Sequence, residues 1–206
     1  MGLVPTRTEI VTFHDPPVPP GESPWVPGAG PEVGIEILDA DPAWPDWYAV
    51  LEARVRTALG PRVLGLEHVG STSVPGLPAK PIIDIDLTVA DPDDEAAYVP
   101  ALEAVDFELR VREPWWYRHR LLRAVDPRCH LHVFGDDSPE LVKHRIFRDW
   151  LRGNAGDREL YARTKRAASE AANSGGEHAM QYNQRKESVV RDIYHRAFVA
   201  AGLLDG

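Results

Sequence analysis

The chain predicts an α/β fold of the α+β kind, and three observations carry that prediction. Short apolar or alternating runs are interleaved with helical patterns as far as Asp137, whereas every patterned segment after Ser138 has helical spacing. Breaks containing glycine or proline separate the runs. With 206 residues, 43% of them hydrophobic and 27% charged, the chain can close one sizeable core.

Residues 1–31 hold eight of the nineteen prolines, mixed with glycine as in Pro16-Pro17-Val18-Pro19-Pro20-Gly21. Proline lacks a backbone donor and fixes φ, so neither ladder nor helix is expected there, only an extension wrapped over the domain or left mobile. Val33 to Leu38 alternates apolar and polar residues and reads as a first strand. Asp41-Pro42 opens a helix to Leu59, along which Trp44, Trp47, Tyr48, Leu51, Val55 and Leu59 recur at helical spacing before Gly60-Pro61 ends it. Val63 to Val69 and Ile82 to Val89 are the next two strand candidates. Asp91 to Asp94 makes a turn and an N-cap for a helix over Ala96 to Val105, and Phe107 to Arg112 reads as another strand. Trp115 to Leu122, which contains Tyr117, Arg118, His119 and Arg120, follows without an assigned element. In His130-Leu131-His132-Val133-Phe134 alternation puts the two histidines on one face. Three helices follow Ser138-Pro139-Glu140: Leu141 to Leu151, Glu159 to Ala172 and Met180 to Ala201. The resulting organisation is a proline-rich extension (1–31), an α/β core (32–137) and a helical C-terminal portion of the same domain (138–206).

Residues 66–89 carry the chemistry. Val69 leads into Gly70-Ser71, a loop with Pro75, Gly76, Pro78 and Pro81 follows, and an apolar run then presents Asp84 and Asp86. Residues two apart on a strand share a face, so the carboxylates lie side by side, and each disfavours ionisation of the other unless a cation or proton intervenes. A hard divalent cation resolves the conflict. Mg²⁺ is the expected ion, with Mn²⁺ its alternative, because Mg²⁺ combines a few carboxylates with water and substrate phosphate oxygens. Gly70 lets the backbone approach a ligand closely, and the Ser71 hydroxyl with turn N–H groups can hold a phosphate.

The order strand, Gly-Ser, loop, Asp-x-Asp strand resembles the signature of the nucleotidyltransferase superfamily typified by DNA polymerase beta, with residues 72–83 filling the usual gap. The wider wording, His68-Val69-Gly70-Ser71-Thr72-Ser73-Val74-Pro75-Gly76-Leu77 with Lys80-Pro81-Ile82-Ile83-Asp84-Ile85, looks like the GrpB family of that superfamily. Phe147-Arg148-Asp149-Trp150-Leu151-Arg152 resembles a Phe-Arg-Asp-Tyr-Leu-Arg segment of that family, and the pairs Tyr161/Lys165 and Tyr182/Lys186 follow its manner. The resemblance spans about residues 33–198. It implies a nucleotidyltransferase-like core with a short mixed sheet and a helical C-terminal portion. It also implies Mg²⁺ on Asp84 and Asp86, and nucleotide phosphates near Gly70, Ser71, Thr72 and Ser73. Lys80, Arg148 and Lys186 are the best of the further phosphate candidates, ahead of Lys143, Arg152 and Lys165. Where many nucleotidyltransferases carry a third catalytic carboxylate this chain has His130 and His132, as the GrpB family does. His132, ahead of His130, is therefore a candidate metal ligand or general base.

The expected activity is transfer of a nucleoside monophosphate, AMP from ATP, to a small-molecule acceptor, either as the whole reaction or as the activating step of an ATP-dependent ligation. The alternative is a non-catalytic nucleotide- or metabolite-binding module on the same fold, which the missing third carboxylate favours. The balance of 23 basic and 32 acidic residues, net −9, lacks the footprint of a duplex nucleic-acid binder. No apolar stretch is long enough to span a membrane and no charged start precedes an apolar core, so a cytoplasmic location is expected. Cys129 stands alone, which excludes an intramolecular disulfide, and it reads as a passive, buried thiol.

Overall fold

The computed structural model describes residues 4–205. Five strands form one mixed sheet: β1 (Gly65–Val69), β2 (Ile83–Val89), β3 (Glu108–Glu113), β4 (His119–Val125) and β5 (Arg128–Gly135), in the order β1-β2-β5-β4-β3. Only β2 and β5 run parallel, and the remaining pairs are antiparallel. The two faces follow from the alternation. Ile83, Ile85 and Leu87 of β2 and Cys129, Leu131 and Val133 of β5 enter a core shared with Trp44, Leu51, Val55 and Leu59 of α2 (Trp44–Leu59) and Leu102 of α3 (Val99–Glu103). Asp84, Asp86, His130 and His132 therefore occupy the opposite face, where the register pairs Asp84 with His130 and Asp86 with His132.

The helices α4 (Pro139–Gly153), α5 (Ala155–Ser174) and α6 (Ala179–Ala200) stand over that polar face. They pack on one another and on the loop after β1 through Val74, Leu77, Leu151, Tyr161 and Ile193. Ser138 caps α4 by accepting from the Glu140 N–H, as Ser-Pro-Glu predicts.

Four features differ from the sequence-based expectation. Val33 to Leu38 is not a strand. Val33 and Leu38 make single bridges to His178 and Ala79, and Ile35 is held by Asn173 and Ser169 of α5, so its alternation answers helix contacts instead of a ladder. Within the proline-rich start, Arg7–Val11 forms a short helix, α1, fixed by a Thr6/Glu9 capping box in a stretch that contains no proline. Trp25 bridges to Val111, so this segment also extends the sheet edge. The helix expected over Ala96 to Val105 is a 3-10 turn, Glu95–Ala97, followed by the five residues of α3. β4, over residues given no element by sequence pattern, supplies His119.

Candidate functional site

A cavity of about 330 Å³ opens between the polar face of the sheet, the Gly70-Ser71 turn, α5 and α6. Gly70 adopts φ +66°, and a Cβ there would fall 2.3 Å from Oδ2 of Asp84, so the turn rests directly against the carboxylate. Ser71 projects beside it. Lys165 of α5 donates to the Ser71 hydroxyl at 3.0 Å and to the Pro78 carbonyl. Burial, with a smaller push from Lys186, lowers the Lys165 ammonium to about 6.

Three lysines converge here over two aromatic rings. The Lys165 Nζ lies 4.6 Å from the Tyr161 ring centre, Lys186 lies 4.7 Å from Tyr182 and 5.9 Å from Tyr161, and Lys80 lies 5.6 Å from Tyr182. The i,i+4 spacing of each tyrosine-lysine pair turns ring and ammonium to one side of its helix. Among the described residues none of these three ammonium groups has a carboxylate within ion-pair distance. Burial also lowers Lys80. Such a cluster has the chemistry to accept an anion.

The carboxylates are treated differently. Asp84 lines the cavity, with its Oδ1 3.5 Å from His130 Nδ1 and 4.0 Å from His132 Nε2. Burial would raise its carboxyl, yet these imidazoles hold it well below the usual range. Asp86 is 1% exposed and accepts from His144 Nδ1 at 2.9 Å. Burial opposes the His144 charge, but Asp86 outweighs it and raises that imidazole to about 9. Each aspartate thus has an imidazole partner, which relieves the repulsion that predicts a cation. Among the described residues no three His, Cys, Asp or Glu side chains converge as a metal cage. Mg²⁺ carried in by a phosphate ligand asks for less: Asp84 opens to the cavity and could serve as a ligand beside water and phosphate oxygens, whereas Asp86, on the same face of β2, could join it only by giving up part of its contact with His144.

His132 is itself held from behind. Its Nδ1 is 3.0 Å from His119 Nε2, and His119 Nδ1 is 2.8 Å from Glu113 Oε2. Glu113 and His119 thus fix the His132 ring from behind, and its Nε2 faces the Asp84 side of the cavity. His119 is buried and its pKa lies well below normal, from burial first and from His132 second.

The other residues singled out in the sequence lie elsewhere. Thr72 donates to the Ile82 carbonyl and bonds His68, while Ser73 donates to the Gly70 carbonyl, so both hydroxyls brace the turn. Arg148 faces away from the cavity and is engaged by Glu67, Asp149 and the His68 carbonyl. Arg152 binds the Ser73 carbonyl, and Lys143 is buried against Glu140. His144 was not singled out, although helical spacing already sets it on the α4 face of Phe147 and Leu151. Glu32, at the cavity edge, had no sequence signal.

A model of the GrpB protein family matches residues 34–196. The chain is 47% identical over 163 residues to UPF0157 protein BH1888 of Halalkalibacterium halodurans, covering 79% of this chain and 82% of that protein. UPF0157 protein SCO7215 of Streptomyces coelicolor is 42% identical over 172 residues, covering 83% and 89%. A dephospho-CoA kinase of Mycobacterium tuberculosis is 32% identical over 191 residues, spanning 79% of this chain and only 46% of that protein. The crystal structure of conserved protein GrpB from Enterococcus faecalis superposes with a TM-score of 0.70 at 26% identity, over 81% of this chain and 99% of that one. No helix of the described residues is long and apolar enough to cross a membrane. The chain belongs to the GrpB protein family.

Proposed function

We propose that the protein is a Mg²⁺-dependent nucleotidyltransferase of the DNA polymerase beta-like superfamily, moving a nucleoside monophosphate, AMP from ATP, to a small-molecule acceptor. The observation that carries this reading is the convergence of Lys80, Lys165 and Lys186 beside Ser71 and Asp84, without carboxylates of their own. A polyphosphate supplies the missing negative charge. Asp84, with Asp86 once freed from His144, would hold Mg²⁺, which would supply positive charge against the phosphate oxygens. The acceptor oxygen or nitrogen attacks the α-phosphorus, the bond from that phosphorus to the bridging oxygen breaks, and pyrophosphate leaves with the bonding pair. For a hydroxyl or amine acceptor, the Nε2 lone pair of His132 takes the proton. A carboxylate acceptor would give an acyl-adenylate, which an amine converts to an amide with release of AMP.

A second reading, a nucleotide-binding module without turnover, draws on the closure of Asp86 by His144 and on the absence of a third carboxylate from β5. Calorimetry with ATP and GTP, with and without Mg²⁺, on the parent and on Asp84→Asn/Asp86→Asn, tests both. Mg²⁺-dependent binding lost in the double variant supports the nucleotide site, and pyrophosphate release with an acceptor then separates enzyme from module. No binding to the parent sinks both readings.

A further inference from the structure

A second groove, of about 480 Å³, continues from the cavity along the proline-rich strap and shares Glu32, Lys80, Arg110 and Arg123 with it. Resting on the nucleotidyl-transfer reading, we propose that this groove is the acceptor subsite, and that Arg123 and Arg128 bind a carboxylate or phosphate group of the acceptor there.

The charge count favours an anion. Arg110, Arg123, Arg128 and Lys80 line the groove with Glu32 and the exposed Glu36, and although Glu108 engages Arg110 at 2.9 Å the cations still outnumber the acids, in a chain whose net charge is −9. Guanidinium groups present paired donors that match a carboxylate or phosphate, so two of them on neighbouring strand ends form a cradle with a definite chemical preference. Arg123 lies near the end of β4 and Arg128 begins β5, so the turn between the strands brings them together.

Glu32 sits in that cradle as an imperfect occupant. Its Oε1 is 2.8 Å from Arg123, 3.5 Å from Arg128 and 3.9 Å from His130. The facing His130, with Arg123 and Arg128, holds the carboxyl down at about 2 although burial opposes it. Yet the buried Oε1 accepts no hydrogen bond, despite the short approach to Arg123. At 3.9 Å His130 is too far for a full hydrogen bond, so Glu32 is held chiefly by the charges around it. A ligand carboxylate free to orient would use the donors that Glu32 leaves unused.

The location suits an acceptor. His130 stands between the two sites, with Nδ1 toward Asp84 and Nε2 toward Glu32. A molecule anchored at Arg123 and Arg128 thus has the Asp84 cavity one imidazole away. Glu32 and Trp25 precede the residues matched by the family, 34–196, and the strap is pinned by Val26 to Arg110 and by Arg112 to Pro24. Selection of the acceptor would then be contributed in part by a segment outside the matched region.

The test uses inorganic phosphate and succinate as probes of the full chain, read by calorimetry and by the arginine Nε–Hε resonances in NMR. In Glu32→Gln, which keeps the side chain's size and removes its charge, both probes should bind at least tenfold tighter and shift the Arg123 and Arg128 signals. The gain should disappear in Glu32→Gln/Arg128→Gln, whose new substitution is at a half-exposed site that does not endanger the fold. It should survive Lys165→Met/Lys186→Met, which separates this groove from the lysine cluster. Tighter succinate than phosphate binding would identify a carboxylate as the anchored group, and the reverse a phosphate. Binding of either probe that is no tighter in Glu32→Gln, or a gain that follows the lysines, overturns the subsite. If ATP fails to bind the parent while the Glu32→Gln gain is seen, the anion cradle stands and its role as an acceptor site falls with the nucleotide reading.

Discussion

A Cβ atom on Gly70 would lie 2.3 Å from Oδ2 of Asp84. The Gly-Ser turn and the Asp-x-Asp strand are therefore one mechanical unit, in which the glycine is required by the carboxylate opposite it. The backbone at Gly70, φ +66° and ψ −170°, is also a region essentially reserved for glycine. Gly70→Ala should destabilise the fold by about 1–3 kcal/mol from backbone strain alone, with the Asp84 clash added, and should weaken ATP binding. Urea unfolding and calorimetry check both. An alanine variant of parental stability would show that the turn does not press on Asp84.

Lys165 makes proton uptake a signature of anion binding. Its pKa of about 6, set by burial and Lys186, leaves the amine largely neutral at pH 7.5. A phosphate beside it favours the charged form, so ATP binding at that pH should draw a proton from the buffer. Calorimetry in buffers of different ionisation enthalpy should report this uptake for the parent and lose it in Lys165→Met. The sign for stability also follows. The unfolded chain keeps the lysine proton up to about pH 10.4, whereas the folded chain releases it near 6. Unfolding free energy therefore gains a positive slope with pH between those limits, and Lys165→Met should flatten it.

Cys129 should be chemically silent in the native protein. It is 1% exposed on the core face of β5, and burial raises its thiol well above the ordinary value, so the reactive thiolate is scarce. Titration with a disulfide reagent should leave Cys129 unmodified in buffer and modify one thiol per chain in urea. Rapid labelling without denaturant would place the thiol at the surface.

The parts legible in the sequence were those decided by local periodicity. Ile83, Ile85 and Leu87 against Asp84 and Asp86, and Leu131 and Val133 against His130 and His132, announced two strands and the faces they would show. The same rule misread Val33 to Leu38, whose alternation is satisfied by Asn173, Ser169, His178 and Ala79 one residue at a time. The site was half legible. Its sheet side follows from motif order, but its helix side depends on how α4, α5 and α6 dock. Spacing alone cannot tell Lys165, whose side chain enters the cavity, from Arg148, whose side chain meets Glu67 and Asp149. Glu32 lay beyond reach because its partners are almost a hundred residues away, on strand ends whose pairing no local pattern encodes.

Lys143 and Glu140 tie the N-terminal segment to α4, and their separation should be costly. The Lys143 ammonium is 1% exposed, donates to Glu140 at 2.6 Å and to the Thr12 carbonyl at 2.7 Å, and stands over the rings of Phe13 and Tyr117. Lys143→Met keeps most of the volume but leaves the Glu140 carboxylate buried and unpaired, for which about 3–5 kcal/mol of destabilisation is expected. Adding Glu140→Gln removes the stranded charge and should recover most of that loss, because the destabilisation comes from the unpaired ion more than from the missing pair. The Thr12 carbonyl stays unpaired in both variants. Protease cleavage between Thr12 and the strap should therefore be faster than in the parent in each of them, even where urea unfolding shows global stability restored. Equal loss in the single and double variants would mean that Lys143 acts through Thr12 and the aromatic rings and that Glu140 is incidental.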